Sequence, residues 1–431
     1  MASEQRYISI VPGFSFYLSG FWAGTVETVP AYRMKKILFV DDEPKLLQGL
    51  QRMLRSMRHE WDMAFASGGR EALELLEKAP YDVIVTDMRM PGMDGVQLLK
   101  EVVGRFPMLV RIILSGQTDQ EAFLSSSSIV HQFLSKPCDT ELLKTTIERA
   151  CALQNLLKDE SLKKLVLQIE SLPSQSSLYT EIKEALQSPN ISMGKIGQII
   201  ARDIGMTAKT IQLVNSAFYG LRRRISSPTE ATVILGVNTI KALVLSHNIF
   251  SNFNHVIFPG FSPDALWKHS SVAGLFAREI AKAENYKPEM IEDALVAGML
   301  HDLGKLVLVA NLPAPYNKAQ ALARGKIMPL CEAEQEVLGG THAEVGAYLI
   351  GLWGITNSIV EALAFHHNPD RCAAKTFTLV TAVHVADVLA NEVYPVETGV
   401  EVKVDSDYLA KAGMTERLPV WRERCLALYR Q

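Results

Sequence analysis

The sequence predicts a multi-domain chain, an α/β doubly wound parallel sheet followed by an all-α domain. Three observations lead there. Short apolar runs alternate with amphipathic stretches from Lys36 to about residue 151, as in strands buried on both faces and joined by crossover helices. Beyond about residue 174 the apolar spacing is helical almost throughout. Of the 10 histidines, 8 lie beyond Leu245, several at predicted helix ends.

The length of 431 residues favours two or three domains, and 48% hydrophobic residues is ample for packed cores. A net charge of −3 gives no overall electrostatic footprint for nucleic acid or an anionic membrane. The 5 cysteines are widely spaced with no Cys-x-x-Cys pair, which points to a reducing compartment. No apolar run reaches the roughly 18 residues that span a bilayer. Residues 1–33 fit nothing that follows. They lack the basic start of a signal peptide, and are read as a disordered extension or a start-site artefact, with an interfacial anchor as the alternative.

In chain order, Lys36-Ile-Leu-Phe-Val40 is the first strand and ends on Asp41, Asp42 and Glu43. Leu46 to Met57 suits the first helix, Met63 to Ala66 the second strand, and Gly69 to Lys78 the second helix. Val83-Ile-Val85 is the third strand. It runs into Asp87 and then a loop with Pro91, Gly92 and Gly95. Val96 to Arg105 is the third helix. The serine run Ser125 to Ser128 weakens the fourth and reads as a solvated turn. Arg111-Ile-Ile-Leu-Ser115 and Gln132-Phe-Leu-Ser-Lys136-Pro137 are the last two strands. Chemistry in an open α/β sheet gathers at the carboxyl ends of strands. Asp41, Asp42 and Asp87 would share one crevice there, and a hard divalent cation such as Mg²⁺ relieves their repulsion. A carboxylate beside Mg²⁺ can accept a phosphoryl group. Ser115 adds a hydroxyl and Lys136 an ammonium.

Asp-Asp, Asp, Ser and Lys-Pro on successive strand ends resemble the receiver domain of bacterial two-component response regulators, over about Met34 to Cys151. The resemblance implies a flavodoxin-like fold over 34–151 and Asp87 as phosphoacceptor, with Asp41 and Asp42 around Mg²⁺. It also implies Ser115 and Phe133 as a switch pair and Lys136 as the phosphate-sensing cation. The implied partner is a cognate histidine kinase or phosphotransfer protein in the bacterial cytoplasm.

Residues 139–169 read as one long or broken helix. Leu143, Ile147, Ala150, Leu153 and Leu157 recur at three and four residues. That stripe fits either a coiled-coil seam in a homodimer or the inner face of the sheet domain's last helix. Residues 152–173 are assigned as a helical linker, with Leu172-Pro-Ser-Gln-Ser-Ser177 as the boundary. Amphipathic segments follow at Thr180 to Gln187, Met193 to Asp203 and Lys209 to Val214. Ala231 to His247 is an almost wholly apolar helix expected in the core. Arg222-Arg-Arg224 reads as a solvated loop rather than a phosphate contact.

The histidines stand in patterned surroundings: His269 on a helix, His301 and Asp302 in Leu300-His-Asp-Leu-Gly-Lys305, His342, His366-His367, and Asp387 after His384. Imidazoles and carboxylates at these positions could converge on one or two divalent metals. For any single histidine the alternative is a hydrogen-bonded core residue, and His247, His255 and His384 are read that way. His366 and His367 point about 100° apart on a helix. Both bind a metal only if that helix has ended or if two sites exist.

A His, then His-Asp-x-Gly-Lys, then a later Asp is similar to the HD superfamily of metal-dependent phosphohydrolases. Asp203, Asn215-Ser-Ala-Phe-Tyr-Gly220 and Ile234-Leu-Gly236 look like its HDOD branch, over about Glu170 to Asp387. The resemblance implies an all-α HD-type domain over 174–390, closed by helices in 391–431. It implies His269, His301, Asp302 and Asp387 as the core tetrad. His342, His366 and His367 match extra ligands of the related HD-GYP phosphodiesterases, and Lys305 their phosphate-facing lysine. Fe, Mn or Zn are the implied metals. The chain reads Asn368-Pro-Asp-Arg-Cys372 where those enzymes carry Gly-Tyr-Pro. Two functions follow as expectations. One is a response regulator in which phosphorylated Asp87 switches the conformation or association of a signalling output toward a downstream protein. The other is a phosphorylation-controlled metal phosphohydrolase or cyclic-dinucleotide phosphodiesterase. No nucleic-acid or membrane partner is expected.

Overall fold

The computed structural model describes residues 34–115, 126, 128–169, 172–174, 176–187, 191–216, 219, 221, 223–245, 250–252, 261–372, 374, 376–395 and 403–429. Residues 1–33, most of the predicted fourth helix, Arg222, His247, His255 and three residues of Asn215–Gly220 lie outside that set.

The first part is a five-stranded, all-parallel sheet in the order β2-β1-β3-β4-β5. Its strands are β1 Lys35–Val40, β2 Trp61–Ala66, β3 Val83–Asp87, β4 Val110–Ser115 and β5 Gln132–Ser135. Helices α1 Pro44–Met53, α2 Gly69–Lys78, α3 Gly95–Arg105 and α4 Thr140–Leu153 connect and cover it. The central runs are buried on both faces, as in Ile37, Leu38 and Phe39 of β1 and Val83, Ile84 and Val85 of β3. That explains why each reads as a continuous apolar run rather than an alternation. α3 starts sharply because Asp94 forms a capping box with Gln97.

A second part is built of helices: α5 Glu160–Leu167, α6 Ser176–Gln187, α7 Met193–Ile200, α8 Ile204–Val214, α9 Pro228–Leu245, α10 Pro263–Ala283, α11 Pro288–Leu300 and α12 Leu303–Asn311. Then come α13 Pro313–Lys326, α14 Leu330–Leu338, α15 His342–Leu352, α16 Asn357–Phe365, α17 Leu379–Val393, α18 Ser406–Lys411 and α19 Leu418–Tyr429. A short parallel pair, β6 Leu172–Ser174 with β7 Phe250–Asn252, ties the expected boundary stretch to this part. The apolar helix expected from Ala231 is kinked within α9 at Gly236, whose φ of 74° is left-handed. No described helix is long and apolar enough to cross a membrane.

The stretch from 139 is two helices, broken between Leu153 and Glu160, with the Asp159 side chain capping the second. The stripe on it is not a free coiled-coil seam. Leu143, Ile147, Ala150 and Leu157 are fully buried in this one chain and Leu153 nearly so. Leu153 packs on Gly351 of α15, where an added Cβ would stand 2.6 Å from it. Leu162 and Leu157 likewise cover Gly340. The covering surface comes from more than 180 residues downstream, which no local period reveals. Two buried cations reinforce the junction. Arg111 of β4 donates to the Leu167 carbonyl at 2.6 Å and lies 3.1 Å from His131, and Arg149 of α4 donates to the Ile355 carbonyl.

Because the stripe is core, Leu157→Ala should destabilise the chain by about 2–5 kcal/mol and leave its sedimentation behaviour unchanged. Urea denaturation and analytical ultracentrifugation read the two effects. A changed association state with unchanged stability would return the stripe to an intermolecular seam.

Candidate functional site

Two constellations of the predicted residues form. At the sheet, Asp41 and Asp87 end neighbouring strands, and Lys136 follows β5. The Lys136 ammonium lies 2.7 Å from Asp41 Oδ2 and 2.6 Å from Asp87 Oδ1. Burial opposes its charge, but the two carboxylates prevail and raise its pKa. Asp41 Oδ1 accepts from the Glu43 amide at 2.9 Å. The Asp42 carboxylate has no partner among the described residues and stays available to a hard cation. Gly95 packs under the strand that ends on Asp87. A Cβ there would lie 2.0 Å from the Asp87 carbonyl oxygen, so only glycine lets α3 start so close. Ser115 Oγ is 3.6 Å from Met88 Sδ, and Phe133 is turned inward.

The second constellation lies in the helical part. α11 ends at Leu300 and α12 begins at Leu303, so His301 and Asp302 leave the break into one space. α16 ends at Phe365 with His366 still at helical φ/ψ, and the His366 and His367 ring centroids stand 3.9 Å apart. His342 opens α15, His269 lies within α10 and Asp387 within α17. Two groups result, with every ligand atom in a group within 4.8 Å of the others: Asp302, His342, His366 and His367, and His269, His301 and Asp387. The groups adjoin. His301 Nε2 is 3.5 Å from Asp302 Oδ2, and His342 Nε2 is 3.3 Å from Asp302 Oδ1. His269 Nε2 is 3.0 Å from Asp387 Oδ1.

The ring orientations share one logic. Nδ1 of His269, His301 and His366 faces the carbonyl of Tyr394, Gly298 and Leu363, at 3.3, 2.6 and 2.7 Å. Nδ1 of His342 faces Glu334 Oε2 at 2.6 Å. A proton on each Nδ1 leaves four Nε2 lone pairs aimed inward. Asp302 Oδ1 and His366 Nε2 are buried without a hydrogen-bond partner. Burial opposes ionisation of Asp302, but His301, Lys305 and His342 outweigh it and hold its pKa well below the carboxylate range. Asp387 is held low in the same way, against burial, by His269 and His301. Burial and His301 push His366 down to about 3, leaving it the neutral ligand form. Burial opposes the His342 cation, yet Glu334 and Asp302 raise it to about 9. The cluster therefore calls for positive charge at its centre. A proton on His342 is the least that supplies it; a divalent cation would also engage the orphaned atoms.

Lys305 lies within the cluster. It is 3% exposed and its ammonium sits 2.9 Å from Asp302 Oδ2, tied to the cluster rather than turned outward. His384 holds the core position expected of it. Its Nε2 accepts from the Asp405 amide at 2.9 Å, which leaves Nδ1 to donate to the His366 carbonyl at 2.7 Å. Two contributors went unread in the sequence. Glu334 is fully buried and accepts both the backbone and the ring N–H of His342. It stands eight residues before His342 on another helix, a spacing that signals nothing. Asn391 donates to Asp387 Oδ1 at 3.1 Å, and its i,i+4 spacing was a usable sign. The motif glycine also has a reason: a Cβ on Gly304 would lie 1.9 Å from the His342 carbonyl oxygen.

Residues 37–148 match the response regulator receiver domain family, and residues 172–369 match the HDOD domain family. The chain joins a receiver domain to an HDOD domain. An uncharacterized protein of Treponema pallidum is 25% identical over 220 residues, 51% of this chain and 42% of its own length. The hydrogenase transcriptional regulatory protein HoxA of Cupriavidus necator is 38% identical over 125 residues, 28% of this chain and 25% of HoxA. The chain thus spans less than half the length of these relatives. Among solved structures, the MmoQ response regulator of Methylococcus capsulatus str. Bath is similar at 21% identity and a TM-score of 0.46, covering 58% of this chain and 98% of that one. Receiver domains typically bind Mg²⁺ and HD domains divalent metals, and a receiver implies a phosphodonor such as a histidine kinase.

Glu334→Ala in the HDOD domain removes the acceptor of two buried donors and frees the His342 ring. Divalent-metal affinity should fall about 10–100-fold, read by metal titration of the full chain, and Glu334→Gln should lose less. Unchanged affinity in Glu334→Ala would make that pair purely structural.

Proposed function

We propose that this chain is a two-component response regulator in which Asp87 accepts a phosphoryl group and the HDOD domain holds a pair of divalent cations as part of its signalling output. The observation that carries it is the convergence of inward Nε2 lone pairs and two ionised carboxylates on a centre with orphaned buried atoms. In the receiver, Asp41 and Asp42 would hold Mg²⁺ beside Asp87. Lys136 already pairs with Asp87 and would pair with the phosphoryl oxygens. Phosphorylation adds about −1.5 to −2 charge, which favours Ser115 turning to the new oxygens and the already buried Phe133 repacking beside it, a population shift between two arrangements. In the HDOD domain His269, His301 and Asp387 would hold one cation. His342, His366 and His367 would hold the other, with Asp302 between them. Fe, Mn and Zn all suit imidazole and carboxylate ligands.

With a phosphoryl donor and Mg²⁺, the native chain should become phosphorylated and Asp87→Ala should not, as intact-mass spectrometry would show. Equal labelling would move the acceptor elsewhere. Elemental analysis of the full chain should find stoichiometric Fe, Mn or Zn, lost in a His301→Ala, Asp302→Ala variant. Metal at background after supplementation would reduce the cluster to inherited structure.

A second reading is a phosphorylation-controlled phosphohydrolase acting on a nucleotide or cyclic dinucleotide. Two adjoining ligand groups around one aspartate support it. Such cations would polarise a phosphate ester. Lys305, held on Asp302, would temper the charge of that carboxylate. The same two preparations decide it: Mn²⁺-dependent cleavage of a generic phosphodiester at equal rates would remove this reading.

A further inference from the structure

The two ligand groups are carried differently. His342 begins α15, and His366 and His367 directly follow α16. The turn Trp353–Thr356 joins these helices, so it links one ligand group mechanically. Its geometry is a glycine cap: Gly354 has φ 76°, its amide donates to Gly351 O at 3.0 Å, and the Ile355 amide donates to Ile350 O at 3.1 Å. His269, His301 and Asp387 sit on α10, α11 and α17 instead.

The same turn is where the receiver docks. Arg149, 6% exposed, donates to the Ile355 carbonyl, and its Nε has no partner. Leu153 rests on Gly351, and Gln132 lies against Gly354, where a Cβ would stand 3.4 Å from its Oε1. Trp353 and Gly354 also line a cavity of about 300 Å³ with Gln132, Phe133 and Thr146 of the receiver. Phe133 is the residue proposed to repack on phosphorylation. From the turn, α15 spans about 15 Å to His342 as a rigid rod.

We infer that the receiver regulates one metal position and not the other: repacking of Phe133 and α4 shifts the Trp353–Thr356 turn and, through α15 and α16, the His342, His366 and His367 ligands. This rests on the two-cation reading above. Space to move is present in the cavity, and Arg149 is the polar handle that joins α4 to the turn. The His269, His301 and Asp387 position is reached from the turn only at one remove, through α11 and α17 packed on α16 among the described residues.

The test is a Mn²⁺ titration of the full chain in saturating Mg²⁺, followed by calorimetry and Mn²⁺ electron paramagnetic resonance. It is run with and without beryllofluoride as a phosphoryl mimic at Asp87. Two classes of Mn²⁺ site are expected. Beryllofluoride should change the affinity of one class by about five-fold or more and the other by less than two-fold. Asp87→Ala should abolish the change. Arg149→Met should keep both classes but flatten the response, and His367→Ala should remove the responsive class. The native-chain comparison stands even if Arg149→Met fails to fold. Two classes that shift together, or neither shifting, would overturn the inference while leaving the two-cation reading intact. Absence of Mn²⁺ binding in every state would overturn both.

Discussion

Asp302 is an ionised carboxylate at 1% exposure, and much of the HDOD domain is arranged around keeping it so. Burying a lone carboxylate costs several kcal/mol unless cations and donors surround it. Lys305 reaches it from one turn ahead, His301 precedes it in the chain, and His342 and His366 face its other oxygen. Each of those partners is fixed in turn. α12 packs so closely on the start of α15 that position 304 admits no Cβ. Glu334 locks His342 through two hydrogen bonds. Removing any of these leaves a buried charge uncompensated, which explains why five helices must meet at this point.

The receiver site meets the same problem, with Asp41 1% exposed and the Asp87 side chain 13%. Its carboxylates stand at strand ends, and one lysine bridges Asp41 and Asp87. The HDOD centre is closed by comparison. Among the seven residues of the cluster only His367 shows appreciable surface, with 16% of its side chain exposed. A site that turns over substrate needs a path for a charged phosphate past that histidine.

How much of this was legible depended on the range of the interaction. Strand ends carrying Asp41, Asp87, Ser115 and Lys136 were readable because buried parallel strands leave continuous apolar runs, and α2 was read to the residue. The helix end at His301-Asp302 was expected from the sequence, but the motif gave no sign that a new helix starts at once at Leu303 and runs through Gly304 and Lys305. The fate of the 143–157 stripe was not readable. An apolar face has the same period whether its cover is a second copy or α15 of its own chain. Glu334 was invisible because a helical glutamate carries no mark of burial. The left-handed break at Gly236 was also missed, since an isolated glycine in an apolar helix is usually tolerated.

The junction between the domains follows from these same long-range contacts. A flexible tether would let receiver and output move independently, as inter-domain contacts by default permit. Here Arg111 and Arg149 are buried cations whose donors end on carbonyls of α5 and of the Trp353–Thr356 turn. A buried guanidinium parted from its acceptor is costly, so the two domains share a polar seam that resists partial opening. Such a seam has discrete arrangements rather than a continuum, because close-packed interiors do not deform smoothly. Under the proposed coupling, a change at the strand ends of the sheet would be delivered to α15 and α16, the helices next to His342, His366 and His367.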